Sequence, residues 1–508
     1  MDTVYTSFVP LCAVLVSLLA VPLILFSSRH PNLREFWTIL AGLIKFGLVL
    51  SLVPGVLEGR MAVFRLMEIS PGIELALKAD AFGVFFAIIS SGLWILTSFY
   101  SIGYMRGLAE HKQTRYFSCF TVCLSATIGI AFAANLLTFV VFYEILTVAA
   151  YPLVIHKETR EAVLAGRKYL LYTLTAGVLL IAATAWTYQI NGSLDFKPGG
   201  MFTDISFSSG TLTALFFLFL GGVGVKAAIM PLHSWLPTAM AAPTPVSALL
   251  HAVAVVKAGV FGIVRVAGFV FGPELMRAFG LNTILAVFAG ATIILASLLA
   301  FKQDNLKRRL AYSTIAHLSY VALGTALLSP AAFAGGIMHI ASHAVMKITL
   351  FFCAGAIYVT LRRENVSELD GAGKIMPLTF LAFAAVAAGL AGIPPLNGFV
   401  SKWYLGLGSL QAGTWIPLAI LIISGLLNIG YLFPVVYRAF CKPAAESFRR
   451  PGGAENLRGK WEASPAMLVP LLITALFSIL LGLNPDLFFH FYRLAVQISA
   501  GVLGGGGL

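Results

Sequence analysis

The stretch 135-NLLTFVVFYEILTVAAYPLV-154 is predominantly apolar and holds one charged residue, Glu144, near its middle. As a helix, about 20 residues span about 30 Å, which is the thickness of the hydrocarbon core of a bilayer. A charge at that depth costs several kcal/mol, so such residues are rare and usually line a path for ions or protons. The stretch therefore predicts a membrane-spanning helix with a functional acid.

The composition of the whole chain agrees with this interpretation. Of its 508 residues, 59% are hydrophobic and only 11% are charged, which is more apolar surface than a soluble domain can bury. We therefore predict an all-α polytopic membrane protein. The net charge of +13 would favour a nucleic-acid partner in a soluble protein. Here the cations lie in short loops between apolar runs, so topology explains them and no nucleic-acid partner is expected.

Apolar runs long enough to cross a bilayer recur along the chain, and they predict about fourteen transmembrane helices. The runs lie at about 6–27, 36–57, 80–104, 115–134, 135–155, 162–189, 211–240, 244–271, 279–300, 306–328, 331–361, 376–405, 413–440 and 465–495. Residues 1–508 are thus expected to form a single transmembrane domain, with peripheral helices in 1–104 and 465–495.

The distribution of basic residues predicts the orientation. If the amino terminus lies outside, most lysines and arginines fall in inside loops, as they do in the cytoplasmic loops of other membrane proteins. The cations then left in outside loops are Arg60, Arg65, Lys78, Lys197, Arg265, Arg277 and Arg493. We expect both termini on the outer face, in a prokaryotic cytoplasmic (inner) membrane.

Prolines interrupt two of the predicted spans close to a lysine. Pro231 follows Lys226 in the seventh span, and Pro394 and Pro395 precede Lys402 in the twelfth. A proline removes a helical hydrogen bond and frees carbonyl groups, which a bilayer tolerates only where the backbone lines a cavity or is buried in protein. Both spans are therefore predicted to be broken helices.

The two broken spans are five apart, so they run in opposite directions through the membrane. This arrangement is typical of transporters built from two inverted repeats. We predict one five-helix repeat at about 115–271 (spans 4–8) and a second at about 279–440 (spans 9–13).

Four lysines are predicted at mid-membrane depth: Lys226, Lys257, Lys347 and Lys402. Glu144 needs a cation beside it, either as an inert clamp or as half of a pair that switches during transport. We favour the switching pair, with Lys226 as its partner.

Histidines add a second set of candidates. His339, His343 and Lys347 follow an i, i+4, i+8 spacing, so they lie on one stripe of the eleventh helix. Imidazole titrates near neutral pH, and such a ladder suits a proton relay, although histidines that only brace helices are also common. His251 and His317 are weaker candidates for the same relay.

No pattern in the chain points to a cofactor or a metal. The cysteines and histidines lack the spacings typical of zinc, haem or iron–sulfur sites, and neither a phosphate-binding loop nor a convincing dinucleotide fingerprint is present. Whether the chain belongs to an enzyme stays open, since any redox centre would lie in a partner subunit.

Three motifs carry a family resemblance. The segments 231-PLHSWLPTAMAAPTPVSALLHAVAVVKAGVFGIVR-265, 302-KQDNLKRRLAYSTIAHLSY-320 and 392-GIPPLNGFVSKW-403 resemble the antiporter-like proton-translocating subunits. These subunits are shared by respiratory complex I, the Mrp-type Na+/H+ antiporters and the membrane-bound group 4 hydrogenases.

The resemblance implies roles for particular residues. Glu144 and Lys226 match the coupling ion pair of the family, Lys257 its relay lysine, and Lys402 the terminal lysine on the second broken helix. Thr238 stands where several relatives have Asp in a W-L-P-D motif, which puts any contact made by that acid in doubt.

The resemblance also implies partners. It fits the D-type subunit of Mrp antiporters best, working with other membrane subunits and moving H+, with any Na+ path in a partner. The alternative is the ion-pumping subunit of a redox-driven oxidoreductase, related to complex I or a hydrogenase. A scaffold that has lost transport is disfavoured because the lysines and Glu144 are retained.

Overall fold

The computed structural model describes residues 3–202, 208–443 and 462–504, with the side chains of 250–252 left out. Most of this chain is helical. The helices are α1 (Val9–Phe26), α2 (Pro31–Ser51), α3 (Val53–Leu57), α4 (Ala81–Gly107), α5 (Gln113–Ala131), α6 (Leu136–Val154), α7 (Arg160–Asn191), α8 (Ser209–Ala227), α9 (Trp235–Thr238), α10 (Thr244–Ala252), α11 (Val255–Arg265), α12 (Gly272–Ala278), α13 (Leu281–Phe301), α14 (Leu306–Ala326), α15 (Pro330–Leu361), α16 (Pro377–Ala391), α17 (Asn397–Gln411), α18 (Ile416–Cys441), α19 (Pro465–Leu483) and α20 (Phe491–Leu503).

The predicted fold class is confirmed. Among the described residues, eleven helices are long and apolar enough to cross a membrane, and α16 and α20 are shorter apolar helices. The more polar helices α5 and α14 have 19 and 21 residues, which is also long enough to span. Each of the fourteen predicted runs coincides with a helix or a pair of helical segments. The last run is shorter in the structure than its hydropathy predicts, because α19 ends at Leu483 and α20 is a separate helix.

A small sheet near the amino terminus is not predicted by the sequence pattern. Strand β1 (Thr3–Thr6) pairs in parallel with β2 (Arg60–Ser70), and β2 pairs antiparallel with β3 (Ile73–Ala79). The segment between the second and third spans is too polar to span a membrane, and hydropathy alone predicts a loop there. Strand pairing satisfies its backbone groups instead.

Both predicted helix interruptions are present. Helix α8 ends at Ala227 and the chain is not helical again until Trp235; α16 ends at Ala391 and α17 begins at Asn397. The Trp235 indole N–H donates to the Val225 carbonyl at 2.8 Å, which satisfies one of the carbonyls freed at the end of α8. A third break, between α10 and α11 at Val253 and Ala254, carries neither glycine nor proline and was not predicted.

Helix α15 occupies the centre of the molecule. It packs against α4, α10, α14, α16, α17, α19 and α20, and its residues from Ala331 to Ile357 are buried. Ser329 caps its first turn by accepting a hydrogen bond from the Ala332 amide. The predicted histidine ladder therefore lies in the protein interior and not on a lipid-facing surface.

One cation of the predicted outside loops is buried. Arg265 is 1% exposed and forms two hydrogen bonds, of 2.6 and 2.8 Å, with the carboxylate of Asp80. Asp80 also caps α4 by accepting a hydrogen bond from the Gly83 amide. The prediction that Arg265 lies in a loop was wrong because its partner is far away in the sequence and neutralises its charge.

Candidate ion-translocation site

Lys226 and Glu144 lie on adjacent helices but do not form an ion pair in this structure. The Lys226 ammonium donates to the Tyr143 carbonyl of α6 at 2.5 Å and lies 3.4 Å from the centre of the Tyr143 ring. Glu144 Oε1 is buried and has no hydrogen-bond partner in the part of the chain that the structure describes. The predicted pair is thus open, with the lysine held by the residue next to the acid through carbonyl and cation–π contacts.

Lys257 and His343 are in direct contact. The Lys257 Nζ of α11 lies 2.7 Å from His343 Nδ1 of α15, and both side chains are completely buried. A nitrogen–nitrogen hydrogen bond of this length holds one proton between two groups that can each carry it. Lys257 and one histidine of the predicted ladder are therefore in direct contact.

A cluster of histidines continues from this contact. The rings of His317 and His339 lie 5.3 Å apart and stacked, and the His317 ring lies 5.5 Å from that of His343. His317 Nδ1 is 3.1 Å from His339 Nε2, and His339 Nδ1 is 2.8 Å from the Ser401 hydroxyl. This branch ends beside Lys402, the residue after Ser401.

Lys347 forms hydrogen bonds with a different set of polar groups, on helix α14. Its ammonium donates to the Ser313 hydroxyl at 2.7 Å and to the Leu310 carbonyl at 3.2 Å. The Tyr431 hydroxyl of α18 lies 2.8 Å from Ser313 and also bonds to the Asn428 side chain. The ladder on α15 is therefore not one line, because its last member points to helices α14 and α18.

Lys402 binds the broken end of α16. Its ammonium donates to the carbonyls of Leu390 and Ala391 at 2.7 and 3.0 Å. The Asn428 amide donates to the same Leu390 carbonyl at 3.3 Å. The last carbonyls of a helix lack intrahelical partners and carry partial negative charge, so they stabilise a cation. Both branches thus end close to Lys402, one at the neighbouring Ser401 and the other at Asn428, which shares the Leu390 carbonyl with it.

The two lysines Lys226 and Lys257 are not connected to each other. None of the hydrogen bonds found in the described part of the chain joins them. Their helices are nevertheless in close contact, since a Cβ on Gly259 would lie 2.1 Å from the Ala227 nitrogen. Only a glycine allows α11 to pack this closely against the end of α8.

Several polar residues of the site were missed from the sequence. Tyr143, Ser313, Ser401, Asn428 and Tyr431 are buried, but single hydroxyl and amide groups are common in transmembrane helices and carry no spacing signal. His251 was predicted as a relay candidate, and its side chain lies outside the described residues.

Thr238, which stands where several relatives have Asp, has a hydrogen-bond partner in the structure. Lys168 of α7 donates to the Thr238 hydroxyl at 3.3 Å, and that hydroxyl donates to the Ser234 carbonyl at 3.0 Å. An acid at position 238 would face the same lysine as an ion pair. In this chain the ammonium meets an uncharged hydroxyl, so the contact is a hydrogen bond and not an ion pair.

The fold and the buried row of lysines and histidines define an antiporter-like subunit of a membrane complex. The family model described as "NADH:quinone oxidoreductase/Mrp antiporter, TM" matches residues 133–428, and the chain belongs to this family. The family expected from the sequence motifs is confirmed.

Three relatives illustrate the range of the family. The chain is 34% identical to NADH-quinone oxidoreductase subunit N of Desulforudis audaxviator, over 81% of this chain and 82% of that protein. It is 27% identical to the D-type Na(+)/H(+) antiporter subunit of Alkalihalophilus pseudofirmus, over 94% of each. It is 30% identical to hydrogenase-4 component B of Escherichia coli, over 81% of this chain and 62% of that protein.

Solved structures share the fold. A chain of the Mrp complex from Dietzia sp. DQ12-45-1b superposes with a TM-score of 0.85 at 22% identity, covering 98% of this chain and 97% of that one. A chain of the membrane-bound sulfane sulfur reductase, an archaeal respiratory membrane complex, also gives 0.85 at 22% identity, covering 98% of this chain and all of that one. The described protein is a multi-pass integral membrane protein.

Proposed function

We propose that this chain is a proton-translocating antiporter-like subunit of a multisubunit membrane complex, most similar to the D-type subunit of Mrp antiporters. The observation that carries the proposal is the series of buried polar groups that lies between Lys257 and Lys402. It combines the 2.7 Å contact of Lys257 with His343 and the binding of Lys402 to the freed carbonyls of α16. Buried groups that exchange protons and meet at a broken helix are what a proton path requires.

The open Glu144–Lys226 pair is the proposed switch. In this state Tyr143 holds the lysine, while the acid has a buried oxygen without a partner. Movement of the ammonium from the Tyr143 carbonyl to the Glu144 carboxylate would pair both charges and change the field at Lys257. Such a pair stabilises the charged form of both groups, so opening it favours release of the lysine proton.

Between Lys257 and Lys402 we propose two routes. One runs through His343, His317, His339 and Ser401, where each ring nitrogen can accept or donate a proton. The other leaves Lys347 through Ser313, Tyr431 and Asn428. The histidine route is the proposed conductor, because an amide such as Asn428 does not take up and release protons near neutral pH.

We propose that segments 115–271 and 279–440 are the two inverted repeats of a single domain. Matching features support the assignment. Helices α7 and α15 have 32 residues each, and both end on a residue in the left-handed conformation whose amide donates to a tyrosine carbonyl. Asn135 and Asn305 cap α6 and α14, and each forms an isolated strand-like bridge to a residue further along the chain.

The partners are proposed to be other membrane subunits in a prokaryotic cytoplasmic membrane, with both termini of this chain outside. The Mrp complex and the sulfane sulfur reductase complex, whose chains share the fold, are multisubunit or respiratory membrane assemblies by name. H+ is the proposed cargo here, and any Na+ is assigned to a partner subunit.

A second candidate is an ion-pumping subunit of a redox-driven oxidoreductase. The 34% identity to an NADH-quinone oxidoreductase subunit favours it. The two candidates differ in the driving reaction and not in the path. Proton movement driven by an imposed Na+ gradient supports the antiporter, and movement driven only by electron donors supports the redox pump.

The experiment is proton transport by the intact complex in inverted membrane vesicles. Glu144→Ala and Lys226→Ala should each nearly abolish transport while the complex still assembles. Lys45→Met is the matched control, because Lys45 is an equally buried lysine whose one hydrogen bond among the described residues is to Ser17 of α1. Wild-type ΔpH formation by both pathway variants, or equal loss in the control, would overturn the proposal.

A further inference from the structure

A group of ionisable side chains lies outside the proposed proton path, where two loops meet. Glu110 and His111 belong to the loop between α4 and α5, and His156 to the loop between α6 and α7. One ligand atom from each lies within 4.8 Å of the others. The His156 Nε2 is 3.9 Å from Glu110 Oε2, and His111 Nδ1 is 4.0 Å from the same oxygen.

His156 is the unusual member of this group. Its side chain is completely buried, yet neither ring nitrogen has a hydrogen-bond partner among the described residues. A buried polar group without a partner costs about 1–3 kcal/mol, so native proteins seldom leave one unexplained. The imidazole contacts the His111 ring, 5.1 Å away, and the Tyr116 ring, 5.6 Å away, which hold its plane in place.

We propose that Glu110, His111 and His156 form a binding site for a borderline divalent metal ion of the Zn2+ class. Two imidazole nitrogens and one carboxylate oxygen are the donors that such an ion prefers. Ligands about 2.0–2.2 Å from a tetrahedral ion lie roughly 3.3 Å from each other. The observed separations are 3.9 and 4.0 Å for the two pairs with Glu110 and at most 4.8 Å between the histidines, so the side chains must contract by about 0.6–1.5 Å to reach this value.

The surrounding charges are compatible with the site. The nearby cations Lys112 and Arg115 are occupied by Glu158, at 2.7 and 2.6 Å. Glu158 also lies 3.7 Å from His111 Nε2, so a carboxylate faces each edge of that ring.

The site was not predicted because its ligands come from two distant segments. Glu110 and His111 are adjacent in the sequence, and a single adjacent pair has no zinc-site spacing. Only the packing of the two loops adds His156. A bound ion would tie the end of α6, the helix of Glu144, to the loop that precedes α5.

The test is metal binding by the full-length chain, purified from membranes with a tag that contains no histidine and with the subunits that remain bound. After dialysis against a chelator, Zn2+ is titrated by calorimetry in excess Mg2+, which prefers oxygen ligands. His111→Ala changes an exposed side chain, and Glu110→Gln keeps the size and shape of a mostly buried one, so both should leave the fold intact. Each should weaken one Zn2+ site by at least about tenfold, since even loss of a residue that only supports a ligand costs 10–100-fold.

His30→Ala, a change of an exposed histidine outside the group, is the matched control and should bind Zn2+ as the wild type does. A His156→Ala variant completes the series, and its melting temperature without metal shows whether it folds. Zn2+ should raise the melting temperature of the wild type and not that of His111→Ala. Equal Zn2+ affinity in wild type, His111→Ala and Glu110→Gln, or loss of binding in excess Mg2+, would overturn the proposal.

Discussion

The ammonium group of Lys257 lies 2.7 Å from the Nδ1 atom of His343, and both side chains are shielded from solvent. The contact joins α11, which follows the unpredicted break at Val253 and Ala254, to the central helix α15. Because either nitrogen can carry the shared proton, the contact links the two proposed repeats in the proposed path.

Replacing His343 tests this contact. His343→Ala removes the imidazole that stands between Lys257 and the His317 ring in the proposed route. Water can fill part of the space, so we expect transport slowed by about tenfold or more, in line with the usual contribution of one proton-transfer group. His343→Gln should be as slow as Ala, because an amide bonds to Lys257 without titrating. Transport by both variants is measured at pH 6 and pH 8. Wild-type rates for Gln would show that His343 only braces the helices.

Tyr143 is expected to act through its ring and backbone and not through its hydroxyl. Tyr143→Phe keeps the carbonyl and the aromatic face that hold Lys226, so transport should stay near the wild-type rate. Tyr143→Leu removes the ring and a cation–π contact worth about 0.5–2 kcal/mol, so transport should fall. The two variants are compared in inverted vesicles. Equal rates for Phe and Leu would contradict a role for the ring.

Tyr431→Phe tests the route that leaves Lys347. The change removes the hydroxyl that bonds to Ser313 and Asn428, at a cost of about 1 kcal/mol in stability for each lost bond. If protons use the histidine route, transport should remain within about twofold of the wild type. Tyr320→Phe is the control. Tyr320 lies on α14, and its hydroxyl bonds to Ser424 of α18, the helix that also holds Tyr431. A severe loss in Tyr431→Phe alone would move the conducting role to this branch.

Lys402 should tolerate Glu better than Ala. A relay needs a titratable group at this place, and a protonated glutamate can still donate to the Leu390 carbonyl. An ionised glutamate cannot, so we expect Lys402→Glu to be slower than wild type but faster than Lys402→Ala. Proton transport in vesicles gives the order of the three. An active Lys402→Ala with an inactive Lys402→Glu would exclude the proposed exit role.

Gly259→Ala should destabilise the protein. The added Cβ would lie 2.1 Å from the backbone nitrogen of Ala227, and backbone atoms cannot move aside as a flexible side chain can. Overpacking of this kind costs about 1–3 kcal/mol. Thermal unfolding in detergent measures the effect. Gly47→Ala is the matched control, because nothing lies within 4 Å of the added Cβ on the exposed face of α2. A melting temperature equal to that of the control would show that α8 and α11 separate readily.

Much of the fold was predictable because hydropathy acts locally. A run of about 20 apolar residues must form a helix in a bilayer whatever surrounds it, since its backbone groups have no other partners. The prolines that follow α8 and α16 also predict where these helices end, because a proline lacks the backbone N–H that a helix needs. The β-sheet and the break before α11 were not predictable in this way, because both depend on contacts with segments far along the chain.

For the candidate site, the charged residues and histidines were visible in the sequence because such groups are costly and rare in apolar helices. The hydrogen bonds between these groups could not be predicted from the sequence. The spacing on α15 predicted one line of three groups. In the structure each group has a different partner: His343 contacts Lys257, His339 contacts Ser401 and Lys347 contacts Ser313.

The sequence by itself determined the class of the protein, the position of each membrane helix, two of the helix breaks and the family. These features follow from the free energy of placing each side chain in lipid. That free energy depends only on the residue itself and on its neighbours in the sequence. The tertiary structure decided which groups touch: the open state of Glu144 and Lys226, the burial of Arg265 against Asp80, and the meeting of His156 with Glu110. Hydrogen bonds and ion pairs form over about 3–4 Å. At that range the outcome depends on how distant helices and loops pack, which no local pattern specifies.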